Sequence, residues 1–382
     1  MTNAYIPKSG RIGPLTIYDM VRVEGRTIVI TQQPHQPAID FSRMRVNGHK
    51  PVEIYSHTRI EPATTLYYDL DTPSVEISYL DWKSEVEINE FKPTEFLLVS
   101  GTLCKDDVLQ APDWIDYHRK HGVQHFLIYY NDSLNAGLLA KFEGAPVTFV
   151  EWSLPWSIPN HDGASQRGSE FVSVHGCQPP ALAHMFHVTG RRAEWLFNHD
   201  LDEFAVSDRP LIHLLKGDVM MLSRQNVWIE GLNPLDRRTW HLSQAKADGA
   251  ESAPKYAGKP LRVRTPRVHD CVDRGLWVEN SKKAHLMHLV QCSGSPKEKI
   301  NFTRPVKTAA MHPLAATLGD QAARQRASGS HFPNGKQAVH SSANSWSLAM
   351  SLFRNHGWRA AFFLMAKPWR ALANCLARAR KS

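Results

Sequence analysis

The segment from residue 95 to residue 152 alternates apolar runs with stretches of helical spacing, and this alternation restricts the fold more than any other feature. The runs FLLVSGTL, VQHFLIYY and PVTFVEW are typical of buried strands. Between the first two runs, apolar residues recur at helical spacing from Val108 to His118, and Gly122 marks the end of the predicted helix. A shorter helix is predicted around Leu138. This order of strands and helices predicts a parallel sheet covered by helices.

The rest of the chain divides into segments of different composition. Residues 1–92 alternate apolar and polar positions in runs such as TIVIT and VEISYL, so we interpret them as a β-rich accessory region without an evident site. Residues 93–304 form the predicted α/β domain, 305–345 a linker rich in Gly, Ser and Gln, and 346–382 a basic helical tail. The overall 42% apolar and 21% charged residues suit a protein with a large core and exclude a disordered chain.

Positive charge is concentrated at the end of the chain. The net charge is +8, but the residues from Asn301 onward hold twelve Lys and Arg against one acid, so residues 1–300 are close to neutral. This distribution argues against nucleic acid as a partner of the body, because phosphate recognition needs basic side chains across the docking surface. The five cysteines are widely spaced and form no C-x-x-C pair, and no signal-peptide run opens the sequence. We therefore expect a cytoplasmic protein.

An acidic cluster follows a further apolar strand in the segment AEWLFNHDLDEF. On an extended chain, Asp200 and Asp202 would point the same way about 6.6 Å apart, and two carboxylates repel there by about 2–3 kcal/mol at an effective dielectric of about 20. A divalent cation removes this repulsion and can also bind nucleotide phosphates. Either His269 or His288 could complete the site, which favours Mn²⁺ over Mg²⁺. The alternative is a solvated acidic turn.

Four sequence blocks between Phe96 and Arg304 resemble the glycosyltransferase family 92 group and its family 2-like bacterial relatives among the GT-A glycosyltransferases. The blocks are KDD, DWIDYHRKHGVQHFLIYYNDS, AEWLFNHDLDEF, and KPLRVRTPRVH followed by LMHLV. Seven positions of the second block match residue by residue: Trp114, Tyr117, His118, Gly122, Val123, Asn131 and Ser133. The resemblance implies an α/β fold with a GT-A, Rossmann-like nucleotide-diphospho-sugar transferase domain between the β-rich region and the helical tail.

The same resemblance implies metal-dependent transfer of a sugar from a UDP-linked donor to a hydroxyl of a glycan or lipid-linked glycan in surface polysaccharide synthesis. The expected cofactor is Mn²⁺ or Mg²⁺, and its predicted ligands are Asp200, Asp202, His269 and His288. The residues predicted to bind the nucleotide sugar are Lys105, Asp107, Asn131, Ser133 and Asp200. Inversion at the anomeric carbon would need a carboxylate base. Glu230 and Asp270 are the candidates, and either could instead be a structural surface acid.

Two segments and the activity itself each allow a second interpretation. Lys105 could pair with Asp106 or Asp107 at the surface instead of binding a nucleotide. Apolar and aromatic residues of the tail, from Trp358 to Leu376, lie at helical spacing with cations elsewhere around the helix. This pattern describes either a helix at an anionic membrane surface, at the inner face of the membrane, or a terminal helix packed on the rest of the protein.

The alternative functions are a metal-dependent nucleotidyltransferase and a non-catalytic glycan-binding protein.

Overall fold

The computed structural model describes residues 3–13, 15–32, 39–56, 63–105, 107–154, 177–229, 245–271, 273–289 and 304–305. All of them belong to one compact unit, Met1–Ser328. The candidate base Glu230, residue Asp106, the tail 346–382 and all but the first residue of the predicted linker lie outside the described residues. Within the part of the chain that is described, no helix is both long enough and apolar enough to cross a membrane.

The N-terminal region forms two small sheets and contributes one strand to the main sheet. Its strands are β1 (Asn3–Tyr5), β2 (Gly10–Ile12), β3 (Leu15–Val23), β4 (Arg26–Gln32), β5 (Arg45–Val46), β6 (Glu53–Ser56), β7 (Thr64–Tyr68), β8 (Ser74–Tyr79), β9 (Trp82–Glu87) and β10 (Asn89–Glu90). One sheet has the order β10-β3-β4-β7-β6 with β2 beside β3, and the other has the order β5-β8-β9. Pairing is antiparallel except between β10 and β3, which agrees with the alternating sequence pattern.

The main sheet combines β1 with the later strands. These are β11 (Phe96–Cys104), β12 (His125–Tyr130), β13 (Val147–Glu151), β14 (Ala193–Asn198), β15 (Glu203–Ser207), β16 (Val219–Ile229), β17 (Ala245–Gly258), β18 (Val278–Leu289) and β19 (Arg304–Pro305). The order is β1-β13-β12-β11-β14-β17-β16-β18-β15, and β19 pairs with β17. Strands β13, β12, β11 and β14 are parallel, which confirms the parallel sheet predicted over 95–152. β17 joins β14 in the antiparallel direction.

Three helices pack on this sheet: α1 (Ala111–Lys120), α2 (Ala136–Ala140) and α3 (Gln178–His184), which continues as a π-helical turn, Met185–Thr189. The end of α1 requires Gly122, because its φ of +93° lies in a region that residues with a Cβ rarely adopt. The π-helical turn passes close to β11, where a Cβ on Gly101 would lie 2.8 Å from Met185 Sδ. Glycine at this position therefore allows the turn to pack on the sheet.

The apolar residues form three cores. One contains Trp114 of α1 and Phe126 of β12, and a second contains Phe186 of the π-helical turn together with Val21 of β3. The third lies within the N-terminal sheets, around Ile77. Because the second core includes residues of both regions, the N-terminal sheets are packed directly on the α/β domain.

A buried polar network adds to this contact between the two regions. Asp19 on β3 accepts a hydrogen bond from Tyr5 Oη at 2.6 Å, and its Oδ2 lies 2.8 Å from His184 Nε2 on α3. The other ring nitrogen of His184 lies 2.5 Å from Tyr129 Oη on β12. The carboxylate can only accept, so His184 donates to Asp19 through Nε2. The network fixes the position of the N-terminal sheet on the α/β domain.

Candidate functional site

The acidic cluster forms a turn at the carboxyl edge of the parallel strands, where ligands of open α/β sheets bind. β14 ends at Asn198 and β15 begins at Glu203, so Asp200 and Asp202 lie in a turn. The Glu203 amide donates to the Asp200 carbonyl (3.0 Å), and the Asp200 amide donates to the Glu203 carboxylate (2.9 Å). The extended geometry that we predicted for Asp200 and Asp202 is therefore wrong, because these reciprocal hydrogen bonds close the chain on itself.

Asp200 is paired with a buried lysine that the sequence did not single out. Lys255 Nζ lies 2.9 Å from Asp200 Oδ2, and the two side chains are 1% and 37% exposed. Burial opposes the charge on Lys255, but Asp200 and Glu203 outweigh this effect and raise its pKa. Burial also opposes ionisation of Asp200, yet the charge and the hydrogen bond of Lys255 hold its pKa below the usual value. Near neutral pH the pair is an ammonium and a carboxylate.

Glu203 connects this pair to a second cation. Its side chain is fully buried, Arg224 Nη1 lies 2.7 Å from Oε1, and Lys255 Nζ lies 3.9 Å from Oε2. Burial raises the pKa of Glu203, while the charges of Lys255 and Arg224 act in the opposite direction. Two cations and two carboxyl groups thus share one partly buried cluster, and only Asp200 presents a substantial part of its carboxylate to solvent.

Asp202 faces a histidine from a distant strand. His288 on β18 places Nε2 3.3 Å from Asp202 Oδ2, and the backbone holds them together because the Leu289 amide donates to the Asp202 carbonyl at 2.9 Å. The other ring nitrogen, Nδ1, lies 3.0 Å from Asn226 Oδ1. An amide oxygen accepts only, so Nδ1 donates to Asn226 and Nε2 is directed at the Asp202 carboxylate. This is the arrangement by which a protein orients a histidine toward a cation.

The donor set of this pair fits a divalent cation. A carboxylate oxygen and an imidazole nitrogen suit Mn²⁺, and such ions are commonly held by few protein ligands together with substrate phosphates. The other predicted ligands are engaged differently: Asp200 by Lys255, and His269 by a backbone carbonyl. Among the described residues, no group of three or more His, Cys, Asp or Glu side chains is arranged to hold a metal ion.

His269 and Asp270 lie near the site but take part in local contacts. His269 Nδ1 is 3.1 Å from the Pro254 carbonyl, next to Lys255 in the chain. Burial, with the charges of Lys255 and Arg224, lowers the pKa of His269 to about 4, so its ring is neutral near pH 7. Asp270 is half exposed and lies 3.3 Å from Arg267 Nη1. These contacts bring neither residue to the Asp202–His288 pair.

The residues that follow β11 and β12 are placed at the same carboxyl edge. Lys105 is exposed, and its amide donates to Asp107 Oδ1 at 3.0 Å, just before the short helical turn at Val108–Gln110. Ser133 is exposed as well. Asn131 is buried, and its amide nitrogen donates to the carbonyls of Trp152 and Leu154 at 2.7 Å each. Asn131 therefore fixes the chain that leaves β13.

A cleft opens beside the acidic turn. It encloses about 10 Å³, room for about one water molecule, and is lined by Leu103, Gln178, Ala181, Leu182, Met185, Asn198, Asp200, Lys255 and Val268. One wall is apolar and comes from α3 and the π-helical turn, and the other carries the Asp200–Lys255 ion pair. A ligand in this cleft would meet both the apolar wall and the ion pair.

A chain of buried hydrogen bonds supports the residue before Asp200. His118 Nδ1 lies 2.9 Å from the Trp114 carbonyl and therefore carries a proton, so His118 Nε2 accepts from His199 Nε2 at 3.1 Å. His199 Nδ1 in turn lies 3.2 Å from Ser100 Oγ. Burial lowers the pKa of both histidines well below the usual value. Two neutral rings thus anchor the start of the acidic turn to α1 and β11.

Comparison with known proteins gives no match to a protein-family model and no significant match to a curated protein. The resemblance to glycosyltransferase family 92 therefore depends on the four sequence blocks alone.

Three residues of the site were missed by the sequence interpretation: Lys255, Arg224 and Asn226. Lys255 carries one signal that could have revealed it, since a charged residue stands at the end of a strand beside Tyr256 and Ala257. Arg224 and Asn226 lie on β16 in the segment SRQN, whose polarity is typical of an exposed strand. Their roles depend on partners far away in the sequence.

Proposed function

We propose that the chain is a glycosyltransferase with a GT-A-type domain that moves a sugar from a nucleotide-sugar donor to a glycan hydroxyl with the help of a divalent cation. The observation that carries this proposal is the contact of Asp202 Oδ2 with His288 Nε2 at 3.3 Å, in the turn that follows a strand of the parallel sheet, with the imidazole oriented by Asn226. The ion-paired Asp200 of the same turn lines a cleft and supports the same interpretation.

Asp202 and His288 would hold Mn²⁺ or Mg²⁺ through a carboxylate oxygen and Nε2. When bound, the cation neutralises the negative charge that develops on the leaving nucleoside diphosphate. Lys255 keeps its charge in this turn because it is paired with Asp200 and Glu203. Its hydrogen bond also fixes the orientation of the Asp200 carboxylate.

Asp200 is the acceptor group of the cleft. Its carboxylate is ionised and partly exposed, so it can accept hydrogen bonds from hydroxyls of the donor's sugar or ribose. Near the cleft, Asn131 acts by holding the Trp152–Leu154 segment, and Lys105 offers an exposed ammonium at the same edge. The apolar wall from α3 would exclude water from one side of a bound ligand.

The experiment that tests this function is a screen of nucleotide sugars with Mn²⁺ in which released nucleoside diphosphate and pyrophosphate are both measured. We expect release of a nucleoside diphosphate from one donor class. That release should fall by at least about a hundredfold in Asp202→Asn, because the variant loses stabilisation of the leaving group. Asp208→Asn is the matched control, since Asp208 is exposed and lies outside the site.

The products separate this function from its alternatives. Release of pyrophosphate with transfer of a nucleotidyl group would identify a nucleotidyltransferase. Binding of glycans without any metal-dependent turnover of a donor would identify a non-catalytic glycan-binding protein. Release of nucleoside diphosphate that is equal in wild type and Asp202→Asn would reject the role assigned to Asp202.

A further inference from the structure

A second pocket lies where the N-terminal sheet packs on the α/β domain, away from the acidic turn. It has a volume of about 400 Å³ with its mouth, and its lining residues are Arg26, Glu53, Tyr55, Tyr67, His187, Arg191, Pro260, Leu261, Val263 and Arg264. The first four come from β4, β6 and β7, and the others come from the π-helical turn and the segments that follow it. None of these residues lines the cleft at Asp200.

A directional chain of hydrogen bonds fixes the back of this pocket. Arg191 Nη1 donates to Tyr67 Oη at 3.2 Å, and the Tyr67 hydroxyl lies 2.7 Å from His187 Nδ1. His187 Nε2 lies 2.9 Å from the Arg264 carbonyl and therefore donates to it. Burial lowers the pKa of His187 to about 3, so the ring stays neutral and keeps this direction of donation. The chain holds the segment at Arg264 in place against the N-terminal sheet.

The arginines of the pocket differ in how their charges are satisfied. Arg26 is paired with Glu53 and Asp69 at 2.9 Å each, and the Glu53 carboxylate also accepts the Tyr55 hydroxyl. Arg191 is paired with Glu24 at 3.0 Å. Glu53, the acid of the lining, is therefore already neutralised by Arg26. The lining as a whole holds three guanidinium groups and one carboxylate.

Arg264 is the exception among them. Its guanidinium carbon lies 5.5 Å from the centre of the Tyr55 ring, and within the described residues no carboxylate lies within ion-pair distance of it. Its backbone is held separately, because the amides of Arg264 and Thr265 both donate to Asp273 Oδ2 at 2.7 and 2.9 Å. The Arg264 side chain is exposed at the pocket, while its backbone is held by Asp273.

We propose that this pocket binds the oxyanion of a small ligand, either the carboxylate of an acidic sugar or a phosphate group, through the Arg264 guanidinium with Arg191 behind it. The planar guanidinium fork matches a carboxylate or phosphate with two parallel hydrogen bonds. This site is separate from the proposed donor site and does not depend on the glycosyltransferase assignment.

The test is calorimetric titration of the full chain at low ionic strength with sodium glucuronate, with inorganic phosphate and with glucose as the neutral probe. We expect glucuronate or phosphate to bind and glucose not to bind. Arg264→Gln should weaken binding by at least about tenfold, because a charge-assisted bidentate contact is lost. Arg262→Gln is the matched control, since this nearby arginine is exposed and pairs with Asp218 outside the pocket.

The two charged probes distinguish the source of the oxyanion: preference for glucuronate identifies an acidic sugar, and preference for phosphate identifies a phosphorylated ligand. Arg264→Lys keeps the charge without the fork and should bind with intermediate affinity. The proposal is overturned if neither glucuronate nor phosphate binds the wild type. It is also overturned if Arg264→Gln and Arg262→Gln bind the charged probe with equal affinity. Thermal melting of each variant checks that the chain is folded. We expect unchanged melting, because the contacts with Asp273 are made by backbone amides and not by the Arg264 side chain.

Discussion

Lys255 Nζ lies 2.9 Å from Asp200 Oδ2, so the most buried cation of the site is paired with its most accessible carboxylate. Lys255 is on β17 and Asp200 follows β14, and these strands are antiparallel neighbours in the main sheet. Together with Arg224 at Glu203 and His288 at Asp202, this pair gives each of the three acidic side chains of the turn its own partner.

Lys255→Met should destabilise the fold, because Asp200 and Glu203 would then repel each other near a buried position. Breaking a fully buried ion pair costs about 3–5 kcal/mol, and because the Asp200 side chain is 37% exposed we expect about 2–3 kcal/mol. Urea unfolding of both proteins measures the difference. Lys216→Met, at an exposed lysine, is the control.

The double variant Lys255→Met with Asp200→Asn separates charge from packing. If the ion pair is the cause, removing the second charge should recover part of the lost stability. A double variant that is less stable than Lys255→Met by the full cost of Asp200→Asn alone would show that the two charges do not interact.

The parallel strands could be predicted because their buried runs are local and periodic, as in FLLVSGTL and VQHFLIYY. The short strand β1 could not, since its three residues NAY carry no periodic signal and its partner β13 is far away in the sequence. The turn at Asp200–Glu203 was also missed, because two hydrogen bonds between these residues decide it and strand propensity on both sides hides it.

Asp19→Asn should weaken the attachment of the N-terminal sheet to the body. The Asp19 carboxylate accepts from Tyr5, His184 and the Lys8 amide, and an asparagine would point a donor at one of these donors. An unsatisfied buried polar group of this kind costs about 1–3 kcal/mol. Thermal unfolding checks the change against Asp69→Asn, in which only an exposed ion pair with Arg26 is lost. Equal effects of the two substitutions would contradict a structural role for the network.

Stability should fall with acidification below about pH 6.5 because several histidines are buried as neutral rings. Burial lowers the pKa of His125 to about 4, so the unfolded chain takes up a proton there that the folded chain does not. Its contribution is fully present above the unfolded pKa of about 6.5 and is lost as the pH falls toward 4, at up to about 1.4 kcal/mol per pH unit.

His125→Gln tests this sign directly. The variant should show a shallower decline of unfolding free energy between pH 6 and 4.5 than the wild type, measured by urea unfolding at each pH. His213→Gln, at an exposed histidine, controls for the substitution itself. An unchanged slope in His125→Gln would mean that this ring is protonated in the folded state.

Of the four predicted metal ligands, Asp202 and His288 lie together, whereas Asp200 and His269 have other partners. Asp202 and His288 meet because β15 and β18 pair with Glu203 opposite His288, a register that no local pattern reveals. His269 instead turns toward the Pro254 carbonyl, although its neighbours RVRTPRVHD look just as suitable in the sequence. A motif can indicate the residue types of a site, but the strand register decides which of them share it.

In the proposed enzyme, Asp202 and His288 bind a divalent cation that in turn binds the donor's diphosphate. Titration of the full chain with UDP, with and without Mn²⁺, measures this coupling. We predict that Mn²⁺ strengthens UDP binding by at least about tenfold in the wild type and in Asp208→Asn, and that Asp202→Asn and His288→Gln each lose this gain. Mn²⁺-dependent binding that survives both site substitutions, or UDP binding in the wild type that ignores Mn²⁺, would contradict the account.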